Sequence, residues 1–221
     1  MFSDLPPPSH YESIVEKGPL EDSNRVKQKA YQVMSQLEGW CTLHKASVLI
    51  DFVLIMQPRQ IVEIGVFGGK SLVPMALALQ ENGLGRIYGV DPWDSAESVV
   101  GMDGVNEQWW GTLNHQKILD GLVQKINEND LTPYVTLLRT TSENAPSIPN
   151  IDMLHVDGNH GEMTALLDVT KWVPLVRSGG LVIFDDIKWA TTGSAIDWLN
   201  ENCIPLALMS EDNGWGIWVK P

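Results

Sequence analysis

From Gln60 onward the chain alternates two hydrophobic rhythms. Short, nearly continuous apolar runs, as expected of strands buried on both faces, occur at Ile61 to Ile64, Arg86 to Val90, Tyr134 to Leu138, Ile151 to Val156 and Leu181 to Phe184. Between them, apolar positions recur at helical spacing over Ser71 to Gln80, Thr112 to Asn127 and Glu162 to Val176, with a further helical stretch from Ser194 to Glu201. Such alternation predicts an α/β fold built on a parallel sheet with helices on both faces. The end of the chain changes character. Ile204 to Met209 and Gly216 to Val219 flank Glu211-Asp212-Asn213-Gly214, whose Asn-Gly step signals an antiparallel hairpin. Ahead of the first strand, Val26, Ala30, Val33, Met34 and Leu37 keep helical spacing between a start signal at Asp22-Ser23 and Gly39. A second helix, His44 to Met56, is apolar on most faces and closes before Pro58. Residues 1–20, with three consecutive prolines, read as an extended arm. Residues 21–221 read as one domain, with leading helices over 21–57 and a long lid or acceptor loop over 92–111.

Bulk properties narrow the function. A net charge of -13 with no basic cluster disfavours nucleic acid as a partner. The longest apolar run, Ala46 to Met56, is interrupted by Asp51 and is too short to span a bilayer. No secretory signal is apparent, and Cys41 and Cys203 lack metal-like spacing, so a cytoplasmic protein with reduced core thiols is expected.

The chemistry concentrates where strands end. Ligands of open parallel sheets bind outside the carboxyl ends of strands, and here two apolar runs end in acid: Val156-Asp157-Gly158-Asn159-His160 and Phe184-Asp185-Asp186. Asp157, Asp185 and Asp186 form a candidate site for a hard cation, Mg²⁺ or Ca²⁺, because oxygen-only donors suit those ions. His160 is the candidate base beside it. His155, on the strand itself, reads as a satisfied core histidine. After the first strand, Gly65-Val66-Phe67-Gly68-Gly69-Lys70-Ser71 leads into a helix, where backbone N–H groups favour an anionic ligand group. Phe67 breaks the dinucleotide glycine pattern, Lys70 reads as a solvated surface residue, and Asp91 ends the next strand where a carboxylate can accept from ribose hydroxyls.

The segments Val62-Glu63-Ile64-Gly65-Val66-Phe67-Gly68-Gly69-Lys70-Ser71, Tyr88-Gly89-Val90-Asp91-Pro92-Trp93 and Leu154 to His160, followed by Gly179-Gly180 to Asp186, resemble a class I S-adenosylmethionine-dependent methyltransferase. Among these the chain looks most like metal-dependent small-molecule O-methyltransferases of the macrocin and mycinamicin sugar type and their cephalosporin-pathway relatives, with catechol O-methyltransferase more distant. The resemblance covers roughly residues 45 to 220. It implies a Rossmann-like seven-stranded sheet with an antiparallel last strand. It also implies that Glu63 and Gly65 lie along the methionine part of S-adenosylmethionine, with Gly68 and Gly69 giving close approach, Asp91 at the ribose, and Ser142 and Glu143 near adenine. The sugar-type enzymes share the Asp-x-x-His arrangement of Asp157 and His160, whereas the catechol enzyme has lysine in the histidine's place.

On the acceptor side, Trp93, Trp109, Trp110 and Trp189 are candidates for an aromatic wall around a sugar or aryl ring. The expected partner is a small hydroxylated molecule, and the leading segment allows a homo-oligomer. A nicotinamide-dependent oxidoreductase and a non-catalytic cofactor-binding module are the competing expectations.

Overall fold

A computed structural model describes residues 19–101 and 104–221. Seven strands form one sheet: β1 (Gln60–Ile64), β2 (Arg86–Asp91), β3 (Val135–Arg139), β4 (Ile151–Val156), β5 (Val176–Asp185), β6 (Ile204–Met209) and β7 (Trp215–Val219), in the order β3-β2-β1-β4-β5-β7-β6. β1 to β5 are parallel, and β7 runs antiparallel to both β5 and β6. The hairpin at Glu211 to Gly214 therefore closes one edge of the sheet, as its turn residues require.

Alternation along each buried strand sorts side chains into two cores. Ile61, Met153, Leu181, Ile183 and Ile217 pack toward one face. There they meet α1 (Pro19–Met34), α2 (Leu43–Met56), α3 (Leu72–Asn82) and α6 (His115–Glu128). Val62, Leu154, Val156, Val182, Phe184 and Trp218 pack toward the other, against α7 (Glu162–Trp172) and α8 (Gly193–Asn202). In phase with the first set stand three polar residues, Glu63, His155 and Asp185. The cross-strand register pairs Glu63 with His155 and His155 with Ile183, two residues before Asp185.

Several boundaries differ from those the pattern predicts. α1 begins at Pro19, ahead of Asp22-Ser23, because proline's fixed φ suits a helix start; the rest of the expected arm, residues 1–18, lies outside the described residues. The segment expected as a loop over 92–111 contains α4 (Ser95–Ser98), capped by the Asp94 side chain, and α5 (Gly104–Thr112). The helix expected to reach Val176 stops at Trp172 and tightens into a 3₁₀ turn at Val173–Leu175, since Pro174 cannot continue the α-helical ladder. No helix among the described residues is long and apolar enough to cross a membrane.

Candidate active site

β1 and β4 are neighbours, while the strands that follow each of them lie on opposite sides, so their carboxyl ends flank the point where strand order reverses. The two exits are in contact. The Asp157 amide donates to the Ile64 carbonyl at 2.8 Å, while on the other side of β1 the Gly65 amide donates to the β2 carbonyl of Val90 at 2.9 Å. Gly65 has φ +80°, and a Cβ there would lie 2.0 Å from the Asp157 carbonyl oxygen. Only glycine lets the chain leave β1 this close to β4. Gly68 and Gly69 answer to packing: a Cβ would meet Glu38 O or Leu122 Cδ1, each at 2.3 Å. They seat the segment before α2 and helix α6 against the turn, and neither lines the crevice expected of them.

That crevice is a cavity of about 220 Å³, bounded by Gly65, Phe67, Asp91, Ser142, Glu143 and Asp157 among others. Asp91 is fixed by backbone donors. The Val66 and Phe67 amides reach Oδ2 at 3.0 and 2.9 Å, and the Trp93 amide reaches Oδ1 at 2.7 Å. Burial pushes its pKa up, and these three N–H groups pull against that. Opposite, the Lys171 ammonium donates to the carbonyls of Ser142, Glu143 and Ala145 at 2.7, 2.6 and 3.0 Å, which sets the loop after β3. Asp91, Ser142 and Glu143 therefore line one cavity, as expected. Glu63 does not line it. It is fully buried behind the turn, where Oε1 accepts from the Ser71 hydroxyl and lies 3.0 Å from His155 Nδ1.

His155 is a core histidine with both ring nitrogens engaged, Nδ1 at Glu63 and Nε2 at Asp185 Oδ2, 2.7 Å away. Burial and the Lys45 charge oppose its protonation, but the two carboxylates prevail and hold its pKa at about 9. Lys45, which sequence reasoning passed over, projects from the first turn of α2 onto Asp185 Oδ2 and lies 3.8 Å from Asp157 Oδ2. Two cations on Asp185 outweigh its burial and keep it ionised well below the usual carboxylate range. Asp157 goes the other way: burial, then the negative charge of Asp185, pushes it up to about 7. Lys45 sits on a helix apolar enough to be read only as core, and that pattern hid it.

The three carboxylates expected to converge, Asp157, Asp185 and Asp186, fall instead into two groups that share Asp157, and in one of them His155, Asp157 and Asp185 bring their donor atoms within 4.8 Å of one another. Asp157, His160 and Asp186 each offer one donor atom, all within 4.8 Å of one another. His160 Nε2 pairs with Asp186 Oδ2 at 2.9 Å, and its ring lies 4.8 Å from the Trp189 ring. Burial disfavours the imidazolium, yet Asp186 and the other carboxylates raise the His160 pKa. Asp157, Asp185 and Asp186 all face a second cavity of about 460 Å³, whose walls include Trp40, Glu211 and Trp215. Glu211, from the β6–β7 turn, accepts from Thr42 Oγ1 and Trp215 Nε1 and contacts His44 Nδ1, tying the hairpin to the start of α2.

The tryptophans separate. Trp93 is 1 % exposed and donates from Nε1 to the Phe67 carbonyl at 2.8 Å, so it belongs to the core rather than to an acceptor wall. Trp109 and Trp110 pack edge-to-face and, with Trp40 and Phe67, form an aromatic cluster beside the crevice. Only Trp110 of the expected pair lines the first cavity. Trp40, 64 % exposed, and Trp215 are the rings at the second cavity, and neither was among the expected wall residues.

A family model described as "Methyltransferase domain" matches residues 62–187. No curated protein matches the chain. Solved structures share its fold. The O-methyltransferase TomG of Streptomyces achromogenes, involved in tomaymycin synthesis and solved with SAM, is 16% identical, with TM-score 0.59 over 90% of this chain and 89% of its own. An O-methyltransferase of Bacillus cereus solved with SAH is 16% identical, with TM-score 0.57 over 99% and 94%. The O-methyltransferase NovP is 20% identical, with TM-score 0.60 over 80% and 78%.

Proposed function

The chain belongs to the methyltransferase-domain family, and on that premise we propose that it is an S-adenosylmethionine-dependent O-methyltransferase acting on a hydroxyl of a small molecule. One observation carries the reading: Asp157 is a wall shared by both cavities. A donor held at Gly65 and Asp91 and an acceptor held in the second cavity would meet across it. The structural neighbours solved with SAM and SAH, two of them named O-methyltransferases, support the choice of donor and of reaction.

The chain's own residues then have separable tasks. Asp91, already held by three amides, accepts the ribose hydroxyls. Gly65 keeps the backbone from obstructing the donor's path to Asp157. His160, which lines the first cavity beside the shared Asp157 wall, takes the proton of an acceptor hydroxyl that reaches across that wall, and Asp186 orients its ring and stabilises the imidazolium that results. The aromatic cluster of Trp40, Phe67, Trp109 and Trp110 covers the approach and limits water. Alignment of the two reactants is the largest contribution asked of such a site, of order 7–11 kcal/mol.

A divalent cation fits the donor set. Asp157, Asp185 and Asp186 face one cavity, and Asp185 uses only Oδ2 toward Lys45 and His155. We therefore assign Mg²⁺ to these three carboxylates, where it would acidify a coordinated hydroxyl. His155, with both nitrogens engaged, is not a ligand.

Calorimetry tests cofactor and metal apart. S-adenosylhomocysteine should bind and NAD should not, and Mn²⁺ should bind the wild type but not Asp186→Asn. A panel of hydroxylated sugars and aryl alcohols, with methylated product read by mass spectrometry, should give turnover that EDTA abolishes and Mg²⁺ restores. Full activity in EDTA removes the metal from the mechanism, and binding of NAD in place of S-adenosylhomocysteine removes the donor.

A further inference from the structure

Three polar side chains interrupt otherwise apolar strands at in-phase positions: Glu63 on β1, His155 on β4 and Asp185 at the end of β5. Glu63 and His155 are 0 % exposed and Asp185 is 9 % exposed. Burying three ionisable groups in a core is costly, and apolar side chains of similar size are often no less stable in such places. Stability is therefore a poor reason for the chain of contacts they make, and its course points to another.

The Ser71 hydroxyl donates to Glu63 Oε1, the same oxygen lies 3.0 Å from His155 Nδ1, and His155 Nε2 lies 2.7 Å from Asp185 Oδ2. Ionised carboxylates only accept, so a ring placed between two of them donates from both nitrogens. Glu63 thereby fixes the plane of the ring, and the ring fixes one oxygen of Asp185. Lys45 reaches the same Oδ2. An ammonium on a flexible four-carbon stem is a point charge with rotatable donors, however, and does not set the orientation of the carboxylate as a planar ring held in the sheet does. Asp185 Oδ1 is taken by neither donor, and Asp185 faces the 460 Å³ cavity with Asp157 and Asp186. Glu63 and His155 line neither cavity.

We propose that His155, steadied by Glu63, is a positioning residue for the cation: it fixes Asp185 by Oδ2, leaving Oδ1 for the metal, and touches neither metal nor substrate itself. This rests on the reading of Asp157, Asp185 and Asp186 as the Mg²⁺ ligands. Removing the hydrogen-bonded partner behind a liganding group weakens metal binding by about 10- to 100-fold.

The test titrates Mn²⁺ and S-adenosylhomocysteine separately by calorimetry into the wild type, His155→Asn and His155→Gln. The asparagine amide reaches only where Nδ1 stood and loses Asp185, whereas the glutamine amide reaches where Nε2 stood and keeps a donor on Asp185. His155→Asn should weaken Mn²⁺ by about 10- to 100-fold, and His155→Gln should recover most of that loss. Both should keep the wild-type affinity for S-adenosylhomocysteine, since Glu63, His155 and Asp185 all lie outside the first cavity. If His155→Asn does not fold, Glu63→Gln combined with His155→Met removes the same contact and leaves no buried charge of the pair behind. A merely structural role would lower the urea midpoint of each variant and leave the Mn²⁺ affinity of the folded protein unchanged, and that result overturns the proposal. So does a His155→Gln that binds Mn²⁺ as weakly as His155→Asn. If the wild type does not bind Mn²⁺, or Asp186→Asn binds it as tightly as the wild type, the metal assignment itself falls and takes this inference with it.

Discussion

His160 and Asp168 are both titratable and enclosed, and they put the site's chemistry on different footings. His160→Ala should lower kcat by about 10²-fold or more with S-adenosylhomocysteine affinity retained, read from turnover and calorimetry together; equal loss of binding assigns the ring a structural role. Asp168 makes a prediction about stability and pH. Its folded pKa is raised from 3.8 to about 7, so between those values the folded protein holds a proton that the unfolded chain has released. Stability from this group is complete below pH 4 and is lost as pH rises toward 7. Asp168→Asn lacks that loss, so its unfolding free energy relative to wild type should increase across the same interval in urea titrations; parallel curves would show that the carboxyl ionises normally. Lys45 is a third case. Asp185 is nearly buried beneath it, and Lys45→Met should cost about 3–5 kcal/mol, because removing one partner of a buried pair strands the other charge.

At the scale of elements, sequence reasoning located what periodicity encodes and missed what depends on three-dimensional neighbours. Ile151 to Val156 was legible because a strand buried along its whole length is a continuous apolar run, and the hairpin because its Asn-Gly step falls between two apolar runs. Acids at the ends of β4 and β5 were legible for the same reason: the pattern stops where polar residues begin. α5 was not, since Gly104 to Thr112 has almost no amphipathic contrast in its composition. Gly68 and Gly69 were assigned to the cofactor because a glycine in a turn looks the same whether a ligand or a Leu122 side chain lies against it. Gly65 is the position where conformation and proximity both forbid substitution. Gly65→Ala should cost about 3 kcal/mol or more in urea unfolding, from the positive φ and from a Cβ driven into the Asp157 carbonyl. A cost under 1 kcal/mol would mean the β1 and β4 exits can separate.

For the whole molecule, the matched domain and the working site have different extents. The family match covers residues 62–187, yet Trp40 and Lys45 precede it and Glu211 and Trp215 follow it. The segments outside the match therefore help to line the second cavity, the one proposed above for the acceptor. The first cavity, proposed for the donor, lies within the match, and ligand linkage tests that assignment. At a concentration one hundred times its Kd, S-adenosylhomocysteine should add about 2.7 kcal/mol, or roughly 5–10 °C in Tm for a domain of this size, and NAD should add nothing. A shift with NAD instead would reverse the assignment at the level of the entire fold.

The anchoring of α2 also governs how the molecule breathes. Unwinding its first turn would withdraw Lys45 and leave Asp185 enclosed with His155 alone, while Thr42 and His44 would release Glu211 and the hairpin. That coupling joins a helix near the start of the domain to its last two strands in one opening event. Hydrogen exchange should therefore find the amides of Leu49 to Val53 exchanging with those of β5 and β7, in the slowest class, rather than fraying ahead of the sheet.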